Sequence, residues 1–250
     1  MTLPTKVSAW RRPLLLILCL LVLWQLLYWL AGDIAMSSPL ATIRYSASLL
    51  SRETFWPHLM ESGAAFGSAL AIAVAAGLTI GMLLGASRLA GDIFEPMLVA
   101  IYSIPKVTLY PIVLLAFGLG MPAKIAFGAI HGFIPIALFT INAVRNVRPI
   151  LVKTGRVLKL GPAEMVTRIL IPAALPEIFT GLRIGFALTL IGTLLGEMFA
   201  SQRGLGYMLM NAIGLHNVDV IMSITFMLVV FAAVVSSILL AIDRRLHKRV

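Results

Sequence analysis

Residues 144–176 have the sequence VRNVRPILVKTGRVLKLGPAEMVTRILIPAALP, a basic stretch between two long apolar runs. Basic residues recur every three positions at Lys153, Arg156 and Lys159. Another set of residues lies toward a different side of a helix: Ile150, Thr154, Val157, Leu158 and Leu160. The spacing predicts an amphipathic helix over 150–160. Such a basic helix suits either a solvated loop beside lipid headgroups or a docking element for a soluble partner, and composition leaves both open.

A sharp turn is predicted after this helix. Gly161 can leave the helix with a positive φ, and Pro162 can then occupy the first position of a new helix, where a missing N–H costs nothing. Glu164 falls in the positively charged first turn of that helix. The loop is therefore expected to be helix, turn and short helix, with Pro172 and Pro176 leading back into an apolar run.

The composition on either side of the loop is that of a membrane protein. Of the 250 residues, 60% are apolar and 12% are charged, and the mean hydropathy is +1.00. A span needs roughly 20 residues, so the chain has room for about six spans and for no separate soluble catalytic domain. We predict an all-α polytopic protein with spans at about 13–31, 61–87, 94–119, 122–143, 175–199 and 219–241. The basic start followed by residues 14–30 also resembles a signal peptide, but the apolar run is longer than a usual one.

The charge distribution predicts the orientation. A net charge of +10 would suggest nucleic-acid binding in a soluble protein, but here the basic residues alternate between loops. Fourteen of the twenty lie in the termini and in alternate loops: Lys6, Arg11, Arg12, Arg88, Arg145, Arg148, Lys153, Arg156, Lys159, Arg168, Arg244, Arg245, Lys248 and Arg249. The intervening loops hold Arg44, Arg52, Lys124 and Arg203. Basic residues are enriched in the cytoplasmic loops of membrane proteins (the positive-inside rule, or charge rule), so both termini are expected in the cytoplasm.

The third span is predicted to be broken, because Pro105 and Pro111 flank Lys106 within it. Unpaired backbone at membrane depth is tolerated where protein or a watery cavity surrounds it. Pro105, Lys106 and Tyr110, together with Glu197 at the end of the fifth span, are therefore candidate pathway residues. The alternatives are that Lys106 extends to the interface and that Glu197 makes a structural hydrogen bond.

Two further patterns concern packing. The second span carries glycines four residues apart, at Gly63 and Gly67 and again at Gly77, Gly81 and Gly85, which predicts close helix packing within the chain or with a second copy. Residues 33–60 suit either a helix at the outer interface or a loose loop. We divide the chain into an N-terminal span with this outer segment, 1–60, and a core of five spans, 61–245.

Several short motifs occur in a specific order. Three lie in or after the loop: Leu160–Gly161, Arg168–Pro176 and Thr180–Gly185. Three others lie outside it: Ser103–Lys106, Gly196–Met198 and Arg203–Tyr207. From about Trp56 to the C-terminus, the chain resembles the permeases of binding-protein-dependent ABC importers, and more narrowly the nitrate, sulfonate and taurine permease group. It departs from the family at residues 155–157, which lack the usual acidic residue and alanine pair, and in the short interval from Gly161 to Pro172.

The resemblance implies a type I ABC importer permease fold, in which the loop forms a coupling helix on a cytoplasmic ATPase subunit. The implied coupling residues are Lys153, Thr154, Gly155, Arg156, Lys159, Leu160, Gly161, Pro162 and Ala163. The implied partners are that ATPase, an extracytoplasmic solute-binding protein, a second permease copy and membrane lipids, with no nucleic acid. The implied setting is the bacterial inner membrane, and the implied cargo is a small polar or anionic solute such as nitrate, a sulfonate or taurine.

The sequence has no G-x-x-x-x-G-K-[ST] phosphate loop, so ATP is expected to be bound by a partner subunit. No catalytic residues, cofactor or metal site are assigned in this chain, and the protein is expected to be a transport subunit rather than an enzyme. Broken helices with intramembrane Lys106, His131 and Glu197 also suit an ion-coupled secondary transporter or a channel subunit, which stay as alternatives.

Overall fold

The computed structural model describes residues 6–247, and every regular element in that part of the chain is helical. The helices are α1 (Lys6–Ala31), α2 (Pro39–Leu50), α3 (Phe55–Ala86), α4 (Arg88–Ser103), α5 (Tyr110–Phe117), α6 (Met121–Arg145), α7 (Pro149–Val157), α8 (Pro162–Glu164), α9 (Ile171–Ala200), α10 (Leu205–Gly214) and α11 (Val218–His247). A 3₁₀ turn, Lys106–Leu109, precedes α5, and a π-helical turn, Met165–Leu170, joins α8 to α9.

Five helices in the described part of the chain are long and apolar enough to cross a membrane, and a sixth span results if one bent pair is counted. The bent pair is α4 with the segment Lys106–Phe117, whose axes differ by 88°. The break occurs where the sequence predicts it, because the residue before a proline is biased away from helix and Ile104 is extended (φ −68°, ψ 133°). The all-α polytopic fold is therefore confirmed.

The chain forms two compact units. One holds the described residues up to Trp56 together with Leu209–Val230, and the other holds Pro57–Met208 and the described residues from Phe231 onward. The sequence-based division into 1–60 and 61–245 stays a prediction. In the first unit, the indole N–H of Trp24 donates to the carbonyl of Ser37 (3.2 Å), whose hydroxyl donates to Asp219 (2.7 Å).

The second unit is built on α3, α6 and α9, which pack closely through glycines. A Cβ at Gly77 would lie 2.7 Å from Ile136, one at Gly81 would lie 2.5 Å from Thr140, and one at Gly85 would lie 2.9 Å from Val144. These three glycines of α3 therefore let its backbone approach α6. Gly63 and Gly67 differ, because a Cβ there would meet nothing within 4 Å.

The loop between α6 and α9 contains the predicted helix and turn, with one correction. Helix α7 ends at Val157, and the positive φ falls on Lys159 (54°), whereas Gly161 has φ −67° and ψ 164°. The predicted positive φ at Gly161 is therefore wrong. The reason is Pro162, which favours an extended residue before it, so the left-handed residue that closes α7 comes two positions earlier.

The predicted short second helix is also longer in the structure. Pro162 does begin a helix, and the Glu164 carboxylate accepts from the N–H of Gly161 (3.3 Å). The chain then continues through the π-helical turn into α9 without leaving a helical path, and residues 162–199 form a continuous helical segment of 38 residues that contains the candidate span. Pro172 lies at the start of α9, directly after the wider turn, which accommodates a residue that lacks an N–H.

Candidate functional site

The connection between α6 and α9 folds as a hairpin of α7 against the start of the long α8–α9 helix. Gly155 is buried at their contact, where a Cβ would lie 2.7 Å from Met165. Val152, on the same side of α7, packs against a buried cluster that includes Val144 and Ala174. One side of α7 is thus fixed to the bundle by small and apolar residues.

The opposite side of α7 is exposed and apolar. Ile150 is 64% exposed, Val157 is 81% exposed and Leu158 is 64% exposed. Residues three and seven positions apart share a helix face, so Ile150 and Val157 point the same way, about 180° from Val152 and Gly155. The hairpin therefore presents an apolar face that none of the residues described in the structure covers.

The nine predicted coupling residues all lie on this hairpin. Lys153, Thr154, Arg156, Lys159, Pro162 and Ala163 are exposed, Leu160 and Gly161 are half-buried, and Gly155 is buried. Six of the nine are thus exposed on the hairpin. Their role in coupling stays a prediction.

The candidate pathway residues are not brought together as a single group. Lys106 is half-buried, its ammonium donates to the carbonyl of Tyr102 (3.3 Å), and it lies 4.3 Å from the centre of the Tyr102 ring. Pro105 is exposed at the break itself. Within the described residues, no hydrogen bond or ion pair joins Lys106 to Glu197.

Tyr110, in contrast, is connected to the neighbourhood of Glu197. Its side chain is buried, its hydroxyl donates to the carbonyl of Gly196 (2.7 Å), and its ring packs edge-on against Phe127 (4.8 Å between centroids). This contact fixes the start of α5 to α9, one residue before Glu197. Tyr110 is therefore bonded to the residue before Glu197, whereas no bond among the described residues joins Lys106 to Glu197.

Glu197 is at the centre of a buried polar cluster. It is fully buried, and its two carboxylate oxygens accept from the hydroxyl of Ser62 at 2.8 and 2.7 Å. The N–H of Gly206 donates to the same carboxylate (2.9 Å), and the Lys124 ammonium lies 3.8 Å away. A buried carboxylate needs such partners, because an unpaired one would lose its hydration without compensation.

Lys124 is the residue that the sequence analysis missed. It was placed in an outer loop, but the structure places it in the first turn of α6, where only 1% of its side chain is exposed. Its ammonium donates to Glu61 (3.0 Å), to the hydroxyl of Ser201 (3.1 Å) and to the carbonyl of Arg203 (3.1 Å). The available signal was its position two residues after Pro122, which marks the helix start and makes Lys124 part of the span.

The turn between α9 and α10 closes over this cluster. Its hydrogen bonds run to α3: the N–H of Gly204 donates to Nδ1 of His58 (3.1 Å), and the N–H of Leu205 donates to the hydroxyl of Ser62 (2.7 Å). Gly204 has φ +123°, and a Cβ there would collide with the Glu197 carboxylate. The turn thus requires a glycine both for its backbone and for space.

The cluster joins the N-terminal ends of α3 and α6 and the C-terminal end of α9 to the turn that follows α9. It contains one ammonium and two carboxylates, Glu61 being partly exposed, together with hydroxyl and backbone partners. Among the described residues, no group of three or more His, Cys, Asp or Glu is placed to hold a metal ion. Its hydrogen bonds and ion pairs hold these helix ends and the turn together at one end of the bundle.

Solved structures of ABC transporters share this fold. The chain matches the inward-facing MetNI methionine ABC transporter with a TM-score of 0.67 and 20% identity, over 77% of this chain and 97% of that one. It also matches an amino acid ABC transporter with histidines, with a TM-score of 0.59 and 18% identity, over 86% and 100% of the two chains. The bundle therefore shares its fold with chains of these two ABC transporters.

Sequence comparison gives the family. The family model described as binding-protein-dependent transport system inner membrane component matches residues 73–250. The taurine transport system permease protein TauC of Escherichia coli is 30% identical over 77% of this chain and 70% of its own length. The putative aliphatic sulfonates transport permease protein SsuC of Bacillus subtilis is 27% identical over 97% and 89%, and the nitrate import permease protein NrtB of Synechocystis is 30% identical over 80% and 76%.

This chain therefore belongs to the family of binding-protein-dependent inner membrane components, and it is a permease subunit of an ABC importer. The resemblance drawn from the loop and its flanking motifs is confirmed. Membership in this family implies an ATP-binding subunit and a solute-binding protein as partners.

Proposed function

We propose that this permease receives the movement of a separate ATPase through the α7 hairpin and uses it to import a small anionic or zwitterionic solute. ATP is bound by the partner subunit, so this chain needs no cofactor and no hydrolytic site of its own. A second copy of the chain completes the channel in the bacterial inner membrane, with both termini in the cytoplasm. The proposal includes delivery of the solute by a binding protein on the other side.

The observation that carries the docking role is the exposed apolar face of α7, which holds Ile150, Val157 and Leu158. The hairpin follows a basic helix end and is therefore expected in the aqueous cytoplasm rather than in lipid. Burying a large aliphatic side chain is worth about 1.5–3 kcal/mol, so three exposed ones favour a protein partner there by several kcal/mol. A loop that only followed the charge rule would not need them.

The substrate class is supported by the names of the relatives and by the positive charge of Lys106 at the break in the third span. The relatives are named for taurine, aliphatic sulfonates and nitrate, all of which carry an anionic group. Lys106 stands at the break in the third span with no carboxylate partner within the described residues. A half-buried ammonium without a counter-ion favours an anion along the path over a cation.

The docking proposal is tested by replacing Val157 with Asp in the full transporter. A buried, unpaired carboxylate at a protein interface is costly, so Val157→Asp should strongly reduce co-purification of the ATPase and solute-stimulated ATP hydrolysis. Thr167→Asp is the matched control, because Thr167 is an exposed residue of the same hairpin and lies outside the apolar face. Equal ATPase recovery by Val157→Asp and the unmodified chain would refute the docking role.

A transport assay separates this function from an ion-coupled one. Proteoliposomes that contain the permease, ATPase and binding protein should take up solute only when ATP is supplied to the ATPase side. Uptake driven by a proton gradient without ATP would instead assign the chain to secondary transport. Taurine, a short alkanesulfonate and nitrate are the first solutes to compare, with an uncharged sugar as the control.

A further inference from the structure

We propose that a hollow beside the α7 hairpin binds the phosphate headgroup of an anionic phospholipid. The hollow has a volume of about 790 Å³ and lies within the second unit, where α3 ends, α4 begins, α6 ends and α7 begins. Arg88, Lys153 and Arg156 line it from two different elements. This goes beyond ATPase docking, because it concerns another side of α7 and a different kind of partner.

The charges of the hollow are unbalanced. Its two carboxylates, Asp92 and Glu95, are both taken by Arg145, which forms an ion pair with each, at 2.8 Å to Glu95. Arg88, Lys153 and Arg156 are exposed and make no ion pair or side-chain hydrogen bond within the described residues. Arg145 carries one positive charge against these two carboxylates, so the four basic and two acidic side chains leave the hollow with a net charge of +2.

The backbone adds to this positive potential. Both α4, which begins at Arg88, and α7, which begins at Pro149, place their N-termini at the hollow. Helix N-termini carry partial positive charge, which favours a bound phosphate. The C-terminus of α6, at Arg145, has the opposite polarity and offsets one of these two N-termini.

The position of the hollow selects a lipid over a soluble phosphate. It opens where the apolar helices α3 and α6 end, at Ala86 and Arg145, which is the depth of lipid headgroups at the face that the charge rule assigns to the cytoplasm. Its walls also hold apolar residues, including Val147, Met165 and Leu170. A phosphate with an attached glycerol backbone fits this combination, whereas a free phosphate would use only the charged part.

The division of α7 into sides makes the site compatible with docking. Val152 and Gly155 face the bundle, Ile150 and Val157 face away from it, and Lys153 and Arg156 lie on the flank between them. A headgroup in the hollow would therefore support α7 from one flank while its apolar face stays free. Lipid binding can then be measured separately from ATPase docking, on the permease without its ATPase.

The test measures lipid retention by the full-length permease, extracted without its ATPase from membranes of equal phosphatidylglycerol and phosphatidylcholine. Native mass spectrometry should show phosphatidylglycerol retained preferentially. Each basic residue near a surface contributes about 1 kcal/mol, so Arg88→Gln, Lys153→Gln and Arg156→Gln should each weaken retention about fivefold, and the triple variant should lose the preference. Arg148→Gln is the matched control, because Arg148 is exposed in the same loop but does not line the hollow.

Three outcomes would overturn the proposal. The first is unchanged retention in the triple variant, and the second is an equal loss in Arg148→Gln, which would indicate general surface electrostatics. For the third, the permease is placed in phosphatidylcholine alone and inorganic phosphate is added. Saturable binding of phosphate with an affinity equal to that for phosphatidylglycerol would identify a soluble ligand. Size-exclusion profiles show whether each single variant remains folded. If the triple variant does not fold, the lipid retention of the three single variants decides the result.

Discussion

A buried lysine next to a buried glutamate concentrates much electrostatic free energy in the cluster at one end of α6. Lys124 and Glu197 are 1% and 0% exposed, and only Glu61 among their charged partners reaches solvent. Removing one member of a buried ion pair leaves the other uncompensated, which costs more than the pair itself contributes. The cluster should therefore be more sensitive to single substitutions than to paired ones.

Lys124→Met is expected to lower the free energy of unfolding by about 3–5 kcal/mol, because it leaves Glu197 buried beside Ser62 without a cation. Thermal denaturation in detergent should show this as a large fall in Tm. Arg44→Met removes one exposed positive charge and serves as the control. A double variant, Lys124→Met with Glu197→Gln, should recover part of the loss, and a double variant no more stable than Lys124→Met would contradict the pairing.

Gly204→Ala is expected to be destabilising for two reasons that act together. Its φ of +123° lies in a region that residues with a Cβ rarely adopt, and the new methyl group would meet the Glu197 carboxylate. The backbone strain alone is of order 1–3 kcal/mol. Gly214→Ala is the control, since a Cβ at Gly214 would meet nothing within 4 Å. Similar Tm values for the two variants would show that the turn does not close over Glu197.

At the scale of elements, apolar runs and prolines predict most of the structure. The spans, the break at Pro105 and the helix that starts at Pro162 all follow from local rules. The positive φ falls on Lys159 and not on Gly161, because Pro162 restricts the backbone of the residue before it even when that residue is a glycine. Lys124 was missed because its partners, Glu61, Ser201 and Arg203, are distant in sequence and their meeting depends on how the helices pack.

The glycines of α3 provide a prediction about helix packing. Gly81→Leu should disrupt the α3–α6 contact, because even a Cβ would lie 2.8 Å from the backbone oxygen of Ala137, and overpacking costs typically 1–3 kcal/mol or more. Gly67→Leu changes the same helix where this chain leaves space. Folded yield and Tm should therefore fall for Gly81→Leu and be preserved in the monomeric chain for Gly67→Leu. Equal losses for both would argue against the observed α3–α6 contact.

At the scale of the whole molecule, α6 connects two ionic clusters of different kinds. Lys124 lies in its first turn and Arg145 at its end, and the 21 steps from one to the other (145 − 124) correspond to about 30 Å at 1.5 Å per residue. This is close to the thickness of a bilayer's hydrocarbon core, so we expect the two clusters to lie near its two edges. The α7 hairpin and its hollow belong to the Arg145 edge, and the turn over Glu197 belongs to the Lys124 edge.

The charge rule then gives a prediction for the orientation of the whole permease. In a Cys19→Ser background, Gln202→Cys should react with a membrane-impermeant maleimide added to intact spheroplasts, because Gln202 is exposed in the turn beyond α9. Thr167→Cys is equally exposed on the hairpin, and it should react only after the membrane is permeabilised. The reverse labelling would place the basic hairpin outside, and ATPase docking on the exposed face of α7 would then be impossible in the cell.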